Sequence, residues 1–580
     1  MTKQRGAAAP TAGRQDDEPV DHEALDAVVA ALAPRARAWA QVGAARRAQL
    51  LERVVHDTFA VAEEWNDASC AAKGLDPTSA EGGEELFSGV GTFLRMAQVL
   101  HQSMLDIAAT GRPRYPGPVE HKPDQRIAIQ VLPANAFDRI LYRGVTAEVW
   151  MEPGIDEAQV RATQAECYAT PDAFVGVSLV LGAGNVASLG PRDVLSKLFV
   201  DGKVVVLKAN PVNDYLVPFW NRAMAALIEE GYLHIVKGSA AVGAHLSGHQ
   251  LVDDIHVTGS DKTHDAIVFG TGPEGSRRKA ENQPLLTKPV SCELGNVSPV
   301  VIVPGRWTDA EIAFQARHVA TMITNNAGFN CLTPRVIITH QGWAQRGTFF
   351  DALEGVLASL PTRLAYYPGA EERRQVFLAR HPDARQLGVG AADSTPWTLV
   401  RDVDPDEPDE ICLNVEAFCA LVSETALVAE SPAQFIARAT EFCNESVWGS
   451  LSMTLICDPR TMKDPVCGPA LERAVADLRY GSIGVNLWHA MSFAFASTVW
   501  GAYPGHPITD IQSGRGFVGN GYLFAHPQKS VVRGPFVSRP DPAWFATNRR
   551  GAIVMRKLLA FEAAPSWAKL PSLMVAALRR

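Results

Sequence analysis

The chain lacks paired cysteines, long apolar runs and clusters of positive charge, and each absence removes a class of protein. Its nine cysteines, at positions 70, 167, 292, 331, 412, 419, 443, 457 and 467, include no CxxC pair. That argues against a disulfide framework or a zinc ribbon and for a reducing cytoplasmic setting, and no metal site is expected. No stretch reaches the roughly 20 uninterrupted apolar residues of a membrane-spanning helix. Residues 1–20 are polar and rich in Ala, Gly and Pro, with no apolar core, so a disordered tail is expected there and not a signal peptide. The net charge of -9 over 580 residues, without a long basic run, leaves nucleic acid an unexpected partner. The length itself implies two or three domains with large cores.

Apolar residues recur at threes and fours between Asp21 and Gly111, as in Leu50-Leu51-Val54-Val55-Phe59, which predicts helices that cover a sheet. Between Arg112 and Tyr168 the texture changes to short apolar runs broken by Pro, Gly and Asp, so strands are expected, including an arm that pairs with another subunit. From Ala173 to Gly270 strands and helices alternate, the pattern of a parallel, helix-covered sheet. Phe174–Leu181 ends in Gly182-Ala183-Gly184-Asn185, Lys203–Leu207 ends in Lys208, and Val252–Val257 ends in Thr258-Gly259-Ser260. Ligands of open α/β sheets bind at such strand ends, where small residues let a phosphate approach a helix N-terminus. Each turn taken alone also reads as plain chain reversal.

Two residues carry the candidate chemistry. Cys331 stands between the turn Asn325-Asn326-Ala327-Gly328-Phe329-Asn330 and the apolar run Val336-Ile337-Ile338. A thiol held there can act as a nucleophile once ionised, although a solitary cysteine is commonly a small buried hydrophobe. Glu293 sits among small and apolar residues in Ser291-Cys292-Glu293-Leu294-Gly295, where desolvation would raise its pKa toward that of a general base; the plainer reading is a surface residue closing a strand.

Taken in order, these segments resemble the aldehyde dehydrogenase superfamily from about Leu50 to Val532. Asn185 and Lys208, 23 residues apart, resemble the family's asparagine and cofactor-binding lysine. By that spacing Pro133-Ala134-Asn135 is an ordinary turn. Thr258-Gly259-Ser260 resembles the nucleotide-binding turn, Glu293-Leu294-Gly295 the glutamate motif, and Gly328-Phe329-Asn330-Cys331 the cysteine motif. Glu416 and Phe418 in Asn414–Phe418 resemble the residues that hold the nicotinamide ribose and border its ring. Ser513-Gly514-Arg515-Gly516 and Lys529–Val532 are similar to the family's ending. The chain departs from the pattern at Asn296, Phe329, His264 and Pro211, which bear on cofactor placement and choice.

The resemblance implies an α/β protein with a Rossmann-like cofactor domain (21–292, of which 112–172 is partly an oligomerisation arm), a catalytic domain (293–490), a return to the cofactor domain and arm (491–532), and a C-terminal extension (533–580). It implies NAD or NADP as cofactor, held by Lys208, Gly259, Ser260, Leu294, Glu416 and Phe418, and a homodimer or homotetramer. It also implies oxidation of an aldehyde to an acid, with Cys331 as nucleophile, Asn185 stabilising the oxyanion and Glu293 activating water. A CoA-dependent acyl-CoA reductase of the same superfamily, a cofactor-free cysteine hydrolase and a non-catalytic paralogue are the alternatives. From Asp541 the extension carries seven Lys/Arg against Asp541 and Glu562. Its apolar residues predict two short amphipathic helices that either pack on the protein or cover the substrate mouth or an anionic membrane surface.

Overall fold

The computed structural model describes residues 20–390 and 394–579, so the expected tail lies outside the described residues except for Val20. The N-terminal helices are His22–Ala40, Ala44–Ala72, Ala80–Leu86 and Thr92–Thr110. Asp21 starts the first by accepting a hydrogen bond from the Ala24 N–H, and Gly111 stops the last in the left-handed conformation at φ 82°.

These helices bury Trp39, Trp65 and Phe93 against a six-stranded sheet. Its strands run in the order 514–515, 290–293, 254–258, 177–181, 204–208 and 233–236. The last five are mutually parallel and 514–515 is antiparallel to its neighbour. Both faces are covered, which is why the Val204–Lys208 strand is buried along its whole length instead of alternating. In register, Leu181 lies beside Lys208 and Thr258 beside Glu293. One sheet edge thus gathers the Asn185 turn, Lys208, the 258–260 turn and Glu293.

The second sheet has eleven strands, ordered 119–121, 127–132, 146–151, 527–533, 482–485, 452–456, 298–302, 334–340, 421–427, 397–403 and 385–387. The seven from 527–533 to 397–403 are parallel. The strands between 112 and 172, expected to form part of an oligomerisation arm, pair antiparallel with 527–533 and through it extend this chain's own sheet. Burial explains the choice: Ile127, Ile129 and Val131 pack in one core cluster with Val300 and Ile302, while Ala128 and Trp150 pack in the cluster on the opposite face. Asn135 caps the helix Ala136–Leu141 by accepting from the N–H groups of Phe137 and Asp138, an ordinary structural use.

The extension forms the helices Gly551–Ala563 and Leu570–Leu578. The first lies so close to Ala80–Leu86 that a Cβ at Gly83 would stand 2.5 Å from the Ala552 Cα. Arg95 bridges Glu562 at 3.2 Å and Asp138 at 3.1 Å. Val554, Phe561, Leu570 and Leu573 are buried together, so most of the expected apolar face is covered by the chain itself. Ile553, Trp567, Val575 and Leu578 stay exposed. No helix among the described residues is long and apolar enough to cross a membrane.

Candidate active site

The helix Asp309–Thr324 leads into the turn that carries the thiol; its start is fixed by a capping box between Thr308 and Glu311. Asn326, Ala327 and Gly328 then take positive φ in succession, at 50°, 54° and 79°. Only glycine fits the third position, because a Cβ there would meet the Cys419 carbonyl oxygen at 2.5 Å. The two non-glycine residues are strained, and hydrogen bonds hold them. The Asn326 N–H donates to Glu84 at 2.8 Å, and its side-chain Nδ2 donates to the Asn185 carbonyl at 2.8 Å. Its Oδ1 accepts from Lys73 Nζ and from the Tyr366 hydroxyl, each at 3.0 Å. Arg335 fastens the far side, donating to the carbonyls of Gly328 and Cys419 at 2.6 Å.

Of the nine cysteines, eight are buried and Cys331 alone is half-buried. Its Sγ lies 2.9 Å from Glu293 Oε1, and Val186, Leu332 and the cluster holding Phe493 and Trp500 surround it. Burial and the neighbouring Glu293 charge push the Cys331 thiol well above its ordinary range. Burial likewise raises Glu293, whose Oε2 has no hydrogen-bond partner. The thiol donates to the carboxylate, and both causes favour its neutral form at rest.

Asn185 is buried, and its Nδ2 donates to the Phe329 carbonyl at 2.9 Å, leaving one amide hydrogen uncommitted. Its own carbonyl accepts from Tyr366 at 2.7 Å, Asn326 at 2.8 Å and Lys73 at 3.3 Å. Lys73 in turn pairs with Glu85 at 2.7 Å, both ends of the pair being nearly inaccessible to solvent.

The residues expected to hold a nucleotide separate into two groups. The Lys208 ammonium makes no hydrogen bond or ion pair with the described residues, and burial lowers its pKa to about 8. Gly259 and Ser260 are exposed, with Ser260 capping the helix Asp261–Phe269 through the Thr263 N–H. Leu294 is fully buried, and Glu416 packs against Gly295 so tightly that a Cβ there would meet Oε2 at 2.1 Å. Glu416 Oε1 is buried without a partner, and burial raises this carboxyl to about 7. Phe418 lies beside Phe329 and Tyr367 in one aromatic cluster. An unpaired ammonium at Lys208 and an orphaned carboxylate oxygen at Glu416 fit a ligand rich in hydroxyl groups and negative charge.

The departures from the family pattern are filled by local packing. Asn296 is buried and donates to Ser298 and to the Ser452 carbonyl, and His264 is buried beside Asp265. Phe329 supplies one ring of the aromatic cluster. Lys73, Glu84, Glu85, Asn326 and Tyr366 surround the site and were not singled out from the sequence. For Lys73, Glu84 and Glu85 the signal is charge within otherwise apolar helical segments, as at Glu84-Glu85 before Leu86-Phe87; Tyr366 carries none. His381, Glu410 and Cys412 also converge, but Glu410 is accounted for by bonding His381 at 2.9 Å and capping the Cys412 N–H at 2.8 Å.

The chain is similar to proteins of the aldehyde dehydrogenase family. The sequence signature of the aldehyde dehydrogenase family matches residues 155–363. The chain is 26% identical over 290 residues to a coniferyl aldehyde dehydrogenase of Pseudomonas sp. (strain HR199 / DSM 7063), which covers 47% of this chain and 56% of that relative. In fold it resembles aldehyde dehydrogenase C of Pseudomonas syringae, solved with NAD+ and octanal, at a TM-score of 0.58 and 16% identity over 89% of this chain and 90% of that one. Salicylaldehyde dehydrogenase of Pseudomonas putida G7, solved with salicylaldehyde, gives a TM-score of 0.58 and 15% identity over 89% and 91%.

Proposed function

We propose that the protein oxidises an aldehyde to a carboxylic acid with NAD or NADP. The observation that carries this reading is the 2.9 Å approach of Cys331 Sγ to Glu293 Oε1 at an apolar cluster. Cys331, its proton released to solvent, adds as a thiolate to the aldehyde carbon. The resulting oxyanion is stabilised by the remaining Asn185 amide hydrogen and the Cys331 N–H. Lys208, Gly259, Ser260, Leu294, Glu416 and Phe418 would hold the dinucleotide, whose nicotinamide would supply the hydride acceptor. The thioester left on Cys331 is hydrolysed by water that Glu293 deprotonates, so that aldehyde, water and oxidised cofactor yield acid, reduced cofactor and a proton.

The match to the aldehyde dehydrogenase family over residues 155–363, the unpaired Lys208 ammonium and the orphaned Glu416 Oε1 support this reading over a cofactor-free hydrolase. The eight buried free thiols support a reducing compartment such as the cytoplasm. The test is an aldehyde panel with NAD and NADP, followed by absorbance of the reduced cofactor and by acid product. Turnover only with CoA would move the protein to the acyl-CoA reductases. Turnover of esters without cofactor would make it a hydrolase, and no turnover with a correctly folded protein would make it a non-catalytic paralogue.

A further inference from the structure

We infer that the two C-terminal helices dock on the surface of an anionic phospholipid bilayer through the groove between them, basic side chains on the headgroups and apolar ones at the acyl boundary. None of the residues placed around Cys331 lines that groove.

The groove, of about 380 Å³, lies between Gly551–Ala563 and Leu570–Leu578 and is bordered by Arg550, Ile553 and Lys557 on one side and by Pro571, Val575 and Arg579 on the other. Both sets recur at helical spacing, so each makes one stripe along its helix. A different stripe, holding Val554, Phe561, Leu570 and Leu573, is buried within the protein. Each helix is therefore apolar on two sides, of which this chain covers one. On the uncovered side Ile553 is 48% and Val575 49% exposed, where a surface helix ordinarily presents polar side chains. On the same hairpin, Trp567 and Leu578 are more than half exposed.

The charge along the groove is of one sign. The guanidinium and ammonium groups of Arg550, Lys557 and Arg579 take part in no hydrogen bond or ion pair among the described residues, and Arg550 Nε is buried without a partner. No Asp or Glu among the described residues lines it. The two acids of segment 541–580, Asp541 and Glu562, are engaged elsewhere, by Arg317 at 2.7 Å and by Arg95 at 3.2 Å. A soluble anion would satisfy the cations and leave the apolar side chains in water. A neutral apolar partner would cover those side chains and strand unpaired charge beneath it, which is costly. The interface of a bilayer carrying anionic lipid offers phosphate and an apolar phase within the roughly 5–10 Å depth that an amphipathic helix reaches. No helix among the described residues is long and apolar enough to cross a membrane, so the contact is peripheral.

Co-sedimentation of the full-length protein with vesicles tests this. Vesicles of phosphatidylcholine with about 30 mol% phosphatidylglycerol are expected to bind it at least about 10-fold more tightly than phosphatidylcholine alone, and less tightly as NaCl rises from about 0.1 M to about 0.5 M. Each cation lost near such a surface weakens binding about 5-fold, so Lys557→Gln/Arg579→Gln is expected to bind about 25-fold more weakly. Lys557→Arg/Arg579→Lys, which keeps the charge, is expected to bind normally. Ile553→Ser/Val575→Ser is expected to lose the binding that survives high salt. All four positions are exposed, and urea unfolding checks that the variants stay folded. No binding to the anionic vesicles, equal binding to the neutral ones, or binding that neither the Gln pair nor the Ser pair reduces overturns the inference. Octanoate binding by calorimetry without vesicle binding would make the groove a site for single soluble amphiphiles. A smaller oligomer in Ile553→Ser/Val575→Ser, again without vesicle binding, would make it an interface between copies of this chain; either result overturns the bilayer as its occupant.

Discussion

Glu293 Oε1 lies 2.9 Å from Cys331 Sγ across the seam between the two sheets. Glu293 closes the Val290–Glu293 strand of the six-stranded sheet, and Cys331 precedes the Pro334–His340 strand of the eleven-stranded one. Relative movement of the two sheets would therefore act directly on the distance between base and nucleophile.

The pair's electrostatics set the direction of a pH experiment. Glu293 raises the Cys331 pKa through its charge and by accepting the thiol hydrogen. A higher pKa means less thiolate at a given pH, so replacing Glu293 by Gln, which removes the charge while burial remains, increases the thiolate fraction. Iodoacetamide labelling of Cys331 in Glu293→Gln is expected to reach half-maximal rate at lower pH than in the unmodified protein. An unchanged or upward-shifted midpoint would contradict the observed coupling.

Deacylation follows the other partner. Because burial raises Glu293, its active carboxylate form is lost as pH falls through a pKa above the ordinary 4.5. Steady-state oxidation is expected to decline on the acid side at correspondingly higher pH. Glu293→Gln should retain a burst of reduced cofactor and lose steady turnover by at least 100-fold, roughly the lower end of general-base contributions. Rapid mixing separates the two phases, and normal steady turnover would remove Glu293 from the mechanism.

The Lys73–Glu85 pair holds the Asn326 side chain and the Asn185 carbonyl from the N-terminal helices. Breaking a buried pair leaves one uncompensated charge, so Lys73→Met is expected to destabilise the protein by about 3–5 kcal/mol. Lys73→Met/Glu85→Leu should recover most of that, since replacing both charges by apolar groups is commonly neutral. Urea unfolding of the three proteins checks the cycle. If the double variant regains stability but not kcat, the pair's effect on the asparagines is separable from its effect on folding.

Cofactor choice turns on the end of the Val204–Lys208 strand. A carboxylate three residues after the lysine would repel a 2′-phosphate, and Pro211 stands there instead, beside an unpaired Lys208. NADP is expected to support turnover at least as well as NAD in paired assays at equal concentration. A kcat/KM for NAD more than about 10-fold higher would show that another group supplies the discrimination.

The local order of the fold was legible because its signals are short-range. Continuous Val/Ile/Leu runs ending in small or polar residues marked the buried parallel strands, and the observed strands Val177–Leu181, Val204–Lys208 and Asp254–Thr258 fall within those runs. The two helices of the extension were likewise visible in apolar spacing around Pro565. The partner of the 112–172 strands was not legible. An edge strand presents the same N–H and C=O groups to its own chain and to another, and only burial on both faces directs Ile127–Leu132 and Thr146–Met151 onto this chain's sheet.

The sequence by itself determined which residue types stand at the strand ends: Asn185, Lys208, Glu293, Cys331 and Glu416 are placed by local pattern and order. Tertiary structure decided what surrounds them. Lys73, Glu85 and Tyr366 come from segments 112 residues before and 181 residues after Asn185 in the case of the two outermost, yet all three meet around it. Such contacts leave no periodicity to read, because the hydrogen bonds that fix a strained turn depend on which distant side chains the packed sheets bring within about 3 Å. The same holds for Trp544 and Met555, whose apolar character is written in the chain but whose position opposite Asn325 and Met491 exists only once the extension has folded back over the helix leading to Cys331.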